Sequence, residues 1–152
     1  MNQDNLYELV NSFYHLSGKI ESLSINSFSD VLGSEEAKNV SNVIYFLIAE
    51  KPITRLKGES RILYIGQTSS SISKRYSNST INKMIKTKAN KLKYGHVLQN
   101  YGGIEIAYCY HNQFGDSLNE AEGQFLWWYF QNHLEYPPFN YTQTKNRNDI
   151  VI

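Results

Sequence analysis

Four polar side chains follow one another along the middle of this sequence in an order that could support hydrolysis of a phosphodiester. That reaction needs a nucleophile in line with the leaving group, a group that takes its proton, and cations that hold the charge developing on the phosphate. A tyrosine hydroxyl can relay or accept the proton, an arginine can hold phosphate through its planar fork, and a carboxylate can bind a divalent metal ion. The residues of these types are Tyr45, Tyr64, Arg75 and Glu122.

Two apolar segments are expected to position the two tyrosines. Residues 43–49 and 62–65 are apolar or aromatic throughout, which predicts two short buried strands. Gly66 follows the second strand, where a bare backbone lets a ligand approach closely. The charged segment between them, residues 50–60, predicts a hairpin whose connection is too long for a tight turn. A polar turn with N-cap serines comes next and predicts that Arg75 lies on a helix.

The rest of the chain predicts further helices and one more strand. Apolar residues recur at helical spacing in three segments, residues 4–16, 81–92 and 118–134. The last of these is apolar on nearly all sides after an acidic first turn, so it should lie centrally in the core. Residues 104–110 alternate like a third strand, whereas residues 17–42 predict a loop-rich connection with one helical turn. We therefore predict an α/β (α+β) fold in which helices flank a small central, largely antiparallel sheet.

Composition argues for one folded domain and against several classes of protein. With 152 residues, of which 41% are hydrophobic, the chain can bury a substantial core. Its one cysteine, Cys109, cannot form an internal disulfide, and the four histidines show no metal-ligand spacing. Gly102 and Gly103 lack the lysine of a phosphate loop. The first 20 residues contain acidic side chains and no long apolar run, so we expect no signal peptide, no membrane span and a cytoplasmic location.

Positive charge is concentrated in the middle of the chain. The net charge is only +1, yet no acidic residue lies between Glu59 and Glu105. Eight of the 15 basic residues fall in that interval, which leaves seven to balance all 14 acidic residues elsewhere. Interleaved aromatic and amide side chains make this block typical of a surface that contacts phosphates, although a solvated helix face would carry the same charges. The lysines that we expect to contact nucleic acid are Lys74, Lys83, Lys86, Lys88, Lys91 and Lys93.

Two short motifs give the sequence a resemblance to a known family. Val43-Ile44-Tyr45 and Tyr64-Ile65-Gly66 resemble the paired motifs that name the GIY-YIG nucleases. The resemblance implies that the motif strands are antiparallel neighbours, and that an arginine, a metal-binding glutamate and an asparagine complete the site. Arg75 after the second motif, Glu122 ahead of an apolar helix, and Asn140 after a proline-containing loop stand at the matching positions.

The resemblance covers most of the chain and suggests a division of it. Residues 41–142 would form the nuclease core. Residues 1–40 have no counterpart and would be an N-terminal helical arm, and residues 143–152 would be a C-terminal tail.

The sequence departs from the family pattern at two positions. Val43 stands where the family name has glycine, and Ser79 stands where homing members carry a histidine. The missing histidine leaves a tyrosine as proton acceptor, and we favour Tyr45 for that role, with Tyr64 orienting the water or the phosphate. For the metal ligand, Glu120 is an alternative to the matching glutamate, since two residues apart on a helix they point in different directions.

The resemblance implies a metal-dependent DNA endonuclease with one Mg²⁺ or Mn²⁺ ion per active site and double-stranded DNA as substrate. A site-specific, restriction-type enzyme is our preferred interpretation, because the chain lacks a separate recognition module such as homing members carry. A repair or mobile-element nuclease stays open. Cutting both strands would require two copies of the chain, so such an activity implies a homodimer. Two other classes also stay open: a nucleic-acid-binding module that does not cut, and a structural or interaction protein.

Overall fold

Four antiparallel strands run through the middle of the molecule, which a computed structural model describes for residues 6–142. They are β1 (Tyr14–His15), β2 (Val43–Thr54), β3 (Glu59–Thr68) and β4 (Ile104–Tyr110). Their order in the sheet is β1-β4-β2-β3, so β2 has a neighbour on each side and β3 is an edge strand. The predicted α+β fold with a largely antiparallel sheet is therefore confirmed.

Helices cover both faces of this sheet. In the described chain they are α1 (Leu6–Asn11), α2 (Ile25–Leu32), α3 (Glu35–Lys38), α4 (Ile72–Arg75), α5 (Asn78–Lys86), α6 (Lys88–Tyr101) and α7 (Leu118–His133), with 3-10 helices at His111–Gln113 and Pro138–Thr142. Helices α1 and α7 pack on the face where Phe46 points, and α2 to α6 pack on the face where Tyr45 points. None of the helices within residues 6–142 combines the length and apolar character that a membrane span requires.

The two motif strands form a longer hairpin than the sequence predicted. Strand β2 continues to Thr54 and β3 begins at Glu59 directly opposite, so residues 55–58 alone connect them. The Arg55 N–H donates to the Gly58 carbonyl over 2.9 Å, and Gly58 has φ +68°, which glycine adopts without strain. The prediction of a long connection was wrong because the outer parts of both strands are largely exposed, and their charged residues concealed the strand pattern.

The first predicted helix ends earlier than its apolar spacing indicated. Helix α1 ends at Asn11, and Tyr14 and His15 leave the helical path to pair with β4. The ring of Tyr14 stacks on that of Tyr108, with centroids 5.4 Å apart. Cross-strand contacts between aromatic rings thus outweigh the helical period at the end of this segment.

Serine caps create structure where the sequence predicted a loop-rich connection. Helix α2 begins after Ser24, whose hydroxyl accepts the N–H of Ser27, and this helix was missed. The helical turn predicted at residues 35–38 is confirmed as α3, capped by Ser34. Buried side chains of both helices lie in the core, so these residues are packed against the sheet.

A threonine divides the lysine-rich helix predicted over residues 81–92. Thr87 has an extended backbone, and its hydroxyl accepts the N–H of Asn90 over 3.3 Å as the N-cap of α6. This capping ends α5 and starts a new helix in a different direction. Apolar periodicity could not reveal the division, because α5 and α6 each place apolar residues toward the same core.

Helix α7 has the predicted position but lies less centrally than predicted. Phe125 and Tyr129 are fully buried against the sheet, whereas Trp127 is 52% exposed. The ring of Trp127 stacks on Phe130 at the outer surface, with centroids 5.9 Å apart. The prediction of burial on nearly all sides was therefore wrong for this side of the helix.

His133 at the end of α7 should make the stability of the fold depend on pH. Its Nδ1 contacts the Lys57 carbonyl at 2.9 Å and must donate there, so Nε2 accepts the hydroxyl of Tyr7. Burial lowers the pKa of His133. The imidazole of the unfolded chain therefore gains a proton at its ordinary pKa of about 6.5, whereas that of the folded chain stays neutral to a lower pH. The free energy of unfolding should therefore decrease as the pH drops below about 6.5.

We expect His133→Gln to weaken this pH dependence. The variant should also lose about 1–3 kcal/mol at neutral pH, because buried partners lose a hydrogen bond. Urea unfolding of both proteins at about pH 5.5 and about pH 7.5 measures the effect. An identical pH dependence in both would contradict the assignment.

Candidate active site

The sheet brings the two motif tyrosines together on one face. Tyr45 on β2 lies opposite Gly66 on β3, and Tyr64 lies opposite Leu47, so the two tyrosines are diagonal neighbours. Their ring centroids are 6.0 Å apart. A β-carbon on Gly66 would lie 2.9 Å from the Tyr45 hydroxyl oxygen and would also overlap the Tyr64 ring. The glycine of the second motif therefore leaves the space in which the two rings meet.

Gly66→Ala should disturb this pair. The added methyl must displace two rings that are held by the sheet, which typically costs about 1–3 kcal/mol of stability. A displacement of about 1 Å at reacting groups costs about 10²-fold in rate, so we expect a loss of that order in any activity of the site. Thermal unfolding and an activity assay measure the two effects.

Gly123→Ala is the matched control for that substitution. Gly123 lies on α7, and a β-carbon there would meet nothing within 4 Å. Alanine is favoured over glycine in a helix by about 1 kcal/mol, so this variant should be slightly stabilised and fully active. If Gly66→Ala behaved like the control, the packing argument would be wrong.

Arg75 approaches the tyrosines from α4. This single helical turn is capped by Ser71, whose hydroxyl accepts the N–H of Lys74 over 3.1 Å. Burial alone would lower the pKa of Arg75, but the nearby hydroxyls of Tyr45, Tyr76 and Tyr64 outweigh it and raise that pKa. The ion pairs among residues 6–142 do not include Arg75. Its guanidinium can therefore bind an anion from outside the protein.

Tyr76 is a third tyrosine of the site that the sequence analysis did not identify. Its hydroxyl lies 2.7 Å from that of Tyr45, and burial raises the pKa of both groups well above the usual range. Its ring lies under the Arg75 guanidinium, whose carbon is 5.6 Å from the ring centroid. The position directly after Arg75 was the available signal, but only the fold shows that the side chain turns back toward β2.

The two motif tyrosines differ in their access to solvent. Tyr45 is fully buried, with 0% exposure, whereas Tyr64 is partly buried and lines an open cavity. Burial raises the pKa of Tyr64, and the nearby Glu122 carboxylate raises it further. Because Tyr45 is fully buried and Tyr64 lines the cavity, Tyr64 is the better candidate for contact with an attacking water.

The two candidate glutamates at the start of α7 have different surroundings. Glu120 accepts the N–H of Asp116 over 2.9 Å, so its carboxylate is bound to the backbone just before the N-cap residue Ser117. Glu122 is partly buried near Tyr64, and this burial raises its pKa against the opposing effect of a hydrogen bond from Gln67. Glu122 is therefore the glutamate that belongs to the site.

Glu122 has properties suited to a metal ligand, although it stands alone. Within residues 6–142 no group of three or more histidine, cysteine, aspartate and glutamate side chains could hold a metal ion. Mg²⁺, however, often binds through one or two carboxylates and completes its shell with waters and substrate phosphates. No ion pair of the described residues neutralises Glu122. A partly buried carboxylate without a cation fits this mode of binding.

Asn140 holds the edge of the second motif strand. Its side-chain oxygen accepts the N–H of Ile65 over 3.0 Å, and its side-chain nitrogen donates to the Ile65 carbonyl over 2.9 Å. The amide thus takes the place that a neighbouring strand would have beside Tyr64 and Gly66. Asn140 acts here through the backbone, as a positioning residue.

The candidate DNA-contacting lysines lie on the helices that follow the second motif strand. Lys74 is on α4, Lys83 and Lys86 are on α5, and Lys88, Lys91 and Lys93 are on α6. All are exposed except Lys93, which is partly buried. Residues of α5 and α6 line the same cavity as Tyr64 and Arg75, so these helices flank the candidate site.

Comparisons with protein-family models, with curated proteins and with solved structures gave no match. The resemblance to the GIY-YIG nucleases therefore depends on the motif residues themselves and on the geometry described above.

Proposed function

We propose that this protein is a metal-dependent DNA endonuclease that hydrolyses phosphodiester bonds. The observation that carries the proposal is the convergence of Tyr64, Arg75 and Glu122: Tyr64 and Arg75 line one cavity, and the Glu122 carboxylate lies close enough to Tyr64 to raise its pKa. These three side chains come from β3, α4 and α7, so the fold, rather than sequence proximity, brings them together. The arrangement supplies a proton acceptor, a phosphate clamp and a metal ligand.

In the proposed reaction Arg75 binds the phosphate through its fork and neutralises the charge that develops on it. Ionised Tyr64 orients the attacking water and takes its proton; the water oxygen bonds to phosphorus as the bond to the leaving oxygen breaks, and that oxygen takes a proton from solvent. The raised pKa makes the ionised tyrosine scarce at neutral pH but strongly basic, so the rate should increase with pH. Buried Tyr45 and Tyr76 fix the positions of Tyr64 and Arg75. A divalent ion held by Glu122, Mg²⁺ or Mn²⁺, would supply Lewis-acid stabilisation of phosphate oxygens.

Cleavage of a DNA panel tests the proposal. Purified protein is incubated with supercoiled plasmid, linear phage DNA and branched DNA, with Mg²⁺ or Mn²⁺, beside Glu122→Gln. We expect the wild type alone to cut. Discrete fragments would indicate a restriction-type enzyme, and nicks or branch-specific products would indicate a repair role. Absence of cleavage on every substrate, or equal cleavage by both proteins, would overturn the proposal.

Cutting both strands would also require two copies of the active site. We propose that such cleavage is carried out by a homodimer on double-stranded DNA. Sizing of the protein with and without a cleaved DNA fragment tests this, and a monomer that linearises plasmid in one binding event would contradict it.

The exposed lysines of α6 should contribute to DNA binding in a salt-dependent manner. Lys88→Gln with Lys91→Gln should reduce the slope of log K against log salt by about 0.9 for each lysine that contacts a phosphate. Binding at several salt concentrations measures this slope. Lys19→Gln with Lys38→Gln is the control of equal charge, since these lysines are paired with Glu50 and Glu35 away from the site. Equal slopes in the two double variants would exclude α6 from the interface.

A further inference from the structure

A cavity of about 190 Å³ continues from the candidate active site toward α6. Tyr64 and Arg75 line it together with Lys93 and Asn90 of α6, and Tyr94 and Phe139 provide aromatic walls. The two aromatic rings meet edge to face, with centroids 4.8 Å apart. Its volume is smaller than the roughly 300 Å³ or more of pockets that enclose a drug-sized ligand, so it fits only part of a longer ligand.

The charged side chains that line this cavity are all positive, and the Glu122 carboxylate lies near Tyr64 without lining the cavity. Arg75 and Lys93 line it, and no acidic side chain does. The sequence has no acidic residue between Glu59 and Glu105, so α4, α5 and α6 cannot provide one. Arg75 is exposed and Lys93 is partly buried, and no ion pair of the described residues includes either, so both can bind an anionic ligand.

Lys93 differs from the other lysines of the block. It is partly buried, its ammonium lies 5.3 Å from the centroid of the Phe139 ring, and burial lowers its pKa. No ion pair of the described residues includes it. Its ammonium therefore lies at the cavity beside an aromatic ring, where it can bind an anion.

We propose that this cavity is a second phosphate subsite, in which Lys93 and Asn90 bind the phosphate of the nucleotide adjacent to the one held at Arg75. The aromatic walls would contact the sugar or base between the two phosphates. The assignment of the adjacent nucleotide rests on the proposed function. The binding of two linked phosphates by Arg75 and Lys93 can be tested without any cleavage.

The probes are thymidine 3′,5′-bisphosphate and thymidine 5′-monophosphate, with affinities measured by calorimetry in EDTA. The wild type should bind the bisphosphate about tenfold more tightly, which is the effect of one charge-assisted hydrogen bond. Lys93→Gln should remove this preference, and Lys93→Arg should keep it. Lys38→Gln, an exposed lysine on α3 that is paired with Glu35, is the matched control and should behave as wild type.

The outcomes separate the subsite from the nuclease. A protein that cuts DNA but binds both probes equally, or one in which Lys93→Gln retains the preference, would overturn the subsite and leave the nuclease intact. A Lys93-dependent preference in a protein that cuts none of the DNA panel would support the subsite as a phosphate site of a non-cleaving protein. Unfolding curves of each variant verify that the substitutions leave the fold unchanged.

Discussion

Glu122→Gln should abolish metal-dependent DNA cleavage and leave the protein folded. The substitution keeps the size and the hydrogen bonding of the side chain but removes the charge that would hold a divalent ion. Loss of one group that stabilises developing charge typically costs about 10²–10³-fold in rate, and loss of the metal ion as well makes this the lower limit. Single-turnover cleavage at saturating protein measures the loss. Glu120→Gln, two residues away, is the control and should keep its activity, because that carboxylate accepts the N–H of Asp116 and glutamine can do the same.

The same substitution should also change how the free energy of unfolding depends on pH, which can be measured without any cleavage assay. Burial raises the pKa of Glu122, so the folded chain holds this proton to a higher pH than the unfolded chain does. Protonation of Glu122 therefore stabilises the folded chain fully at a pH below the ordinary glutamate pKa of about 4.3. This stabilisation is lost as the pH rises through the higher pKa that Glu122 has in the folded chain. In EDTA, Glu122→Gln should therefore become more stable relative to wild type as the pH increases from about 4 to about 7.

Divalent metal ions should stabilise the wild type relative to Glu122→Gln, the opposite of the difference expected in EDTA. Saturating Mg²⁺ stabilises only a protein that binds it, so the melting temperature of the wild type should rise while that of Glu122→Gln stays constant. An equal rise in both proteins would place the ion elsewhere. An unchanged wild type, together with unaffected cleavage in EDTA, would remove the metal from the mechanism.

The sequence was sufficient to predict three of the four strands that the structure describes and the order of the candidate site residues along the chain. The unbroken apolar runs through Tyr45 and Tyr64 identify strands, and a hairpin between them agrees with the antiparallel pairing that the structure has. Periodicity could also locate α7 and hence Glu122. These features depend on local patterns, which a single sequence displays directly.

Other features depend on contacts between distant residues and could not be predicted. Nothing near Tyr76 indicates that its hydroxyl binds that of Tyr45, and nothing near Tyr14 indicates that β4 will pair with it. The relative depth of the two motif tyrosines has the same origin. The register places both tyrosines on one face, but β2 is central and β3 is at the edge, and of the two only Tyr64 lines the cavity.

Arg75→Lys should reduce the rate of cleavage about 10²-fold or more while leaving DNA affinity nearly unchanged. The positive charge remains, so the long-range attraction to phosphate is kept. The planar fork is lost, and with it the two parallel hydrogen bonds that match a phosphate in the transition state. The ring of Tyr76 lies beneath the Arg75 guanidinium and helps to orient it. A flexible lysine ammonium cannot reproduce this orientation.

The distinction between rate and affinity makes this experiment informative. If Arg75 only attracted DNA, lysine would substitute for it, and Arg75→Gln would weaken binding as much as it slowed cleavage. If Arg75 stabilises the transition state, both variants lose rate and only the glutamine variant also loses affinity. Lys74→Gln, the exposed neighbour on α4, supplies the comparison for a charge that serves binding alone. A lysine variant that cuts within about threefold of wild type would show that the fork is not required, and the phosphate clamp would then have to be sought at Lys93.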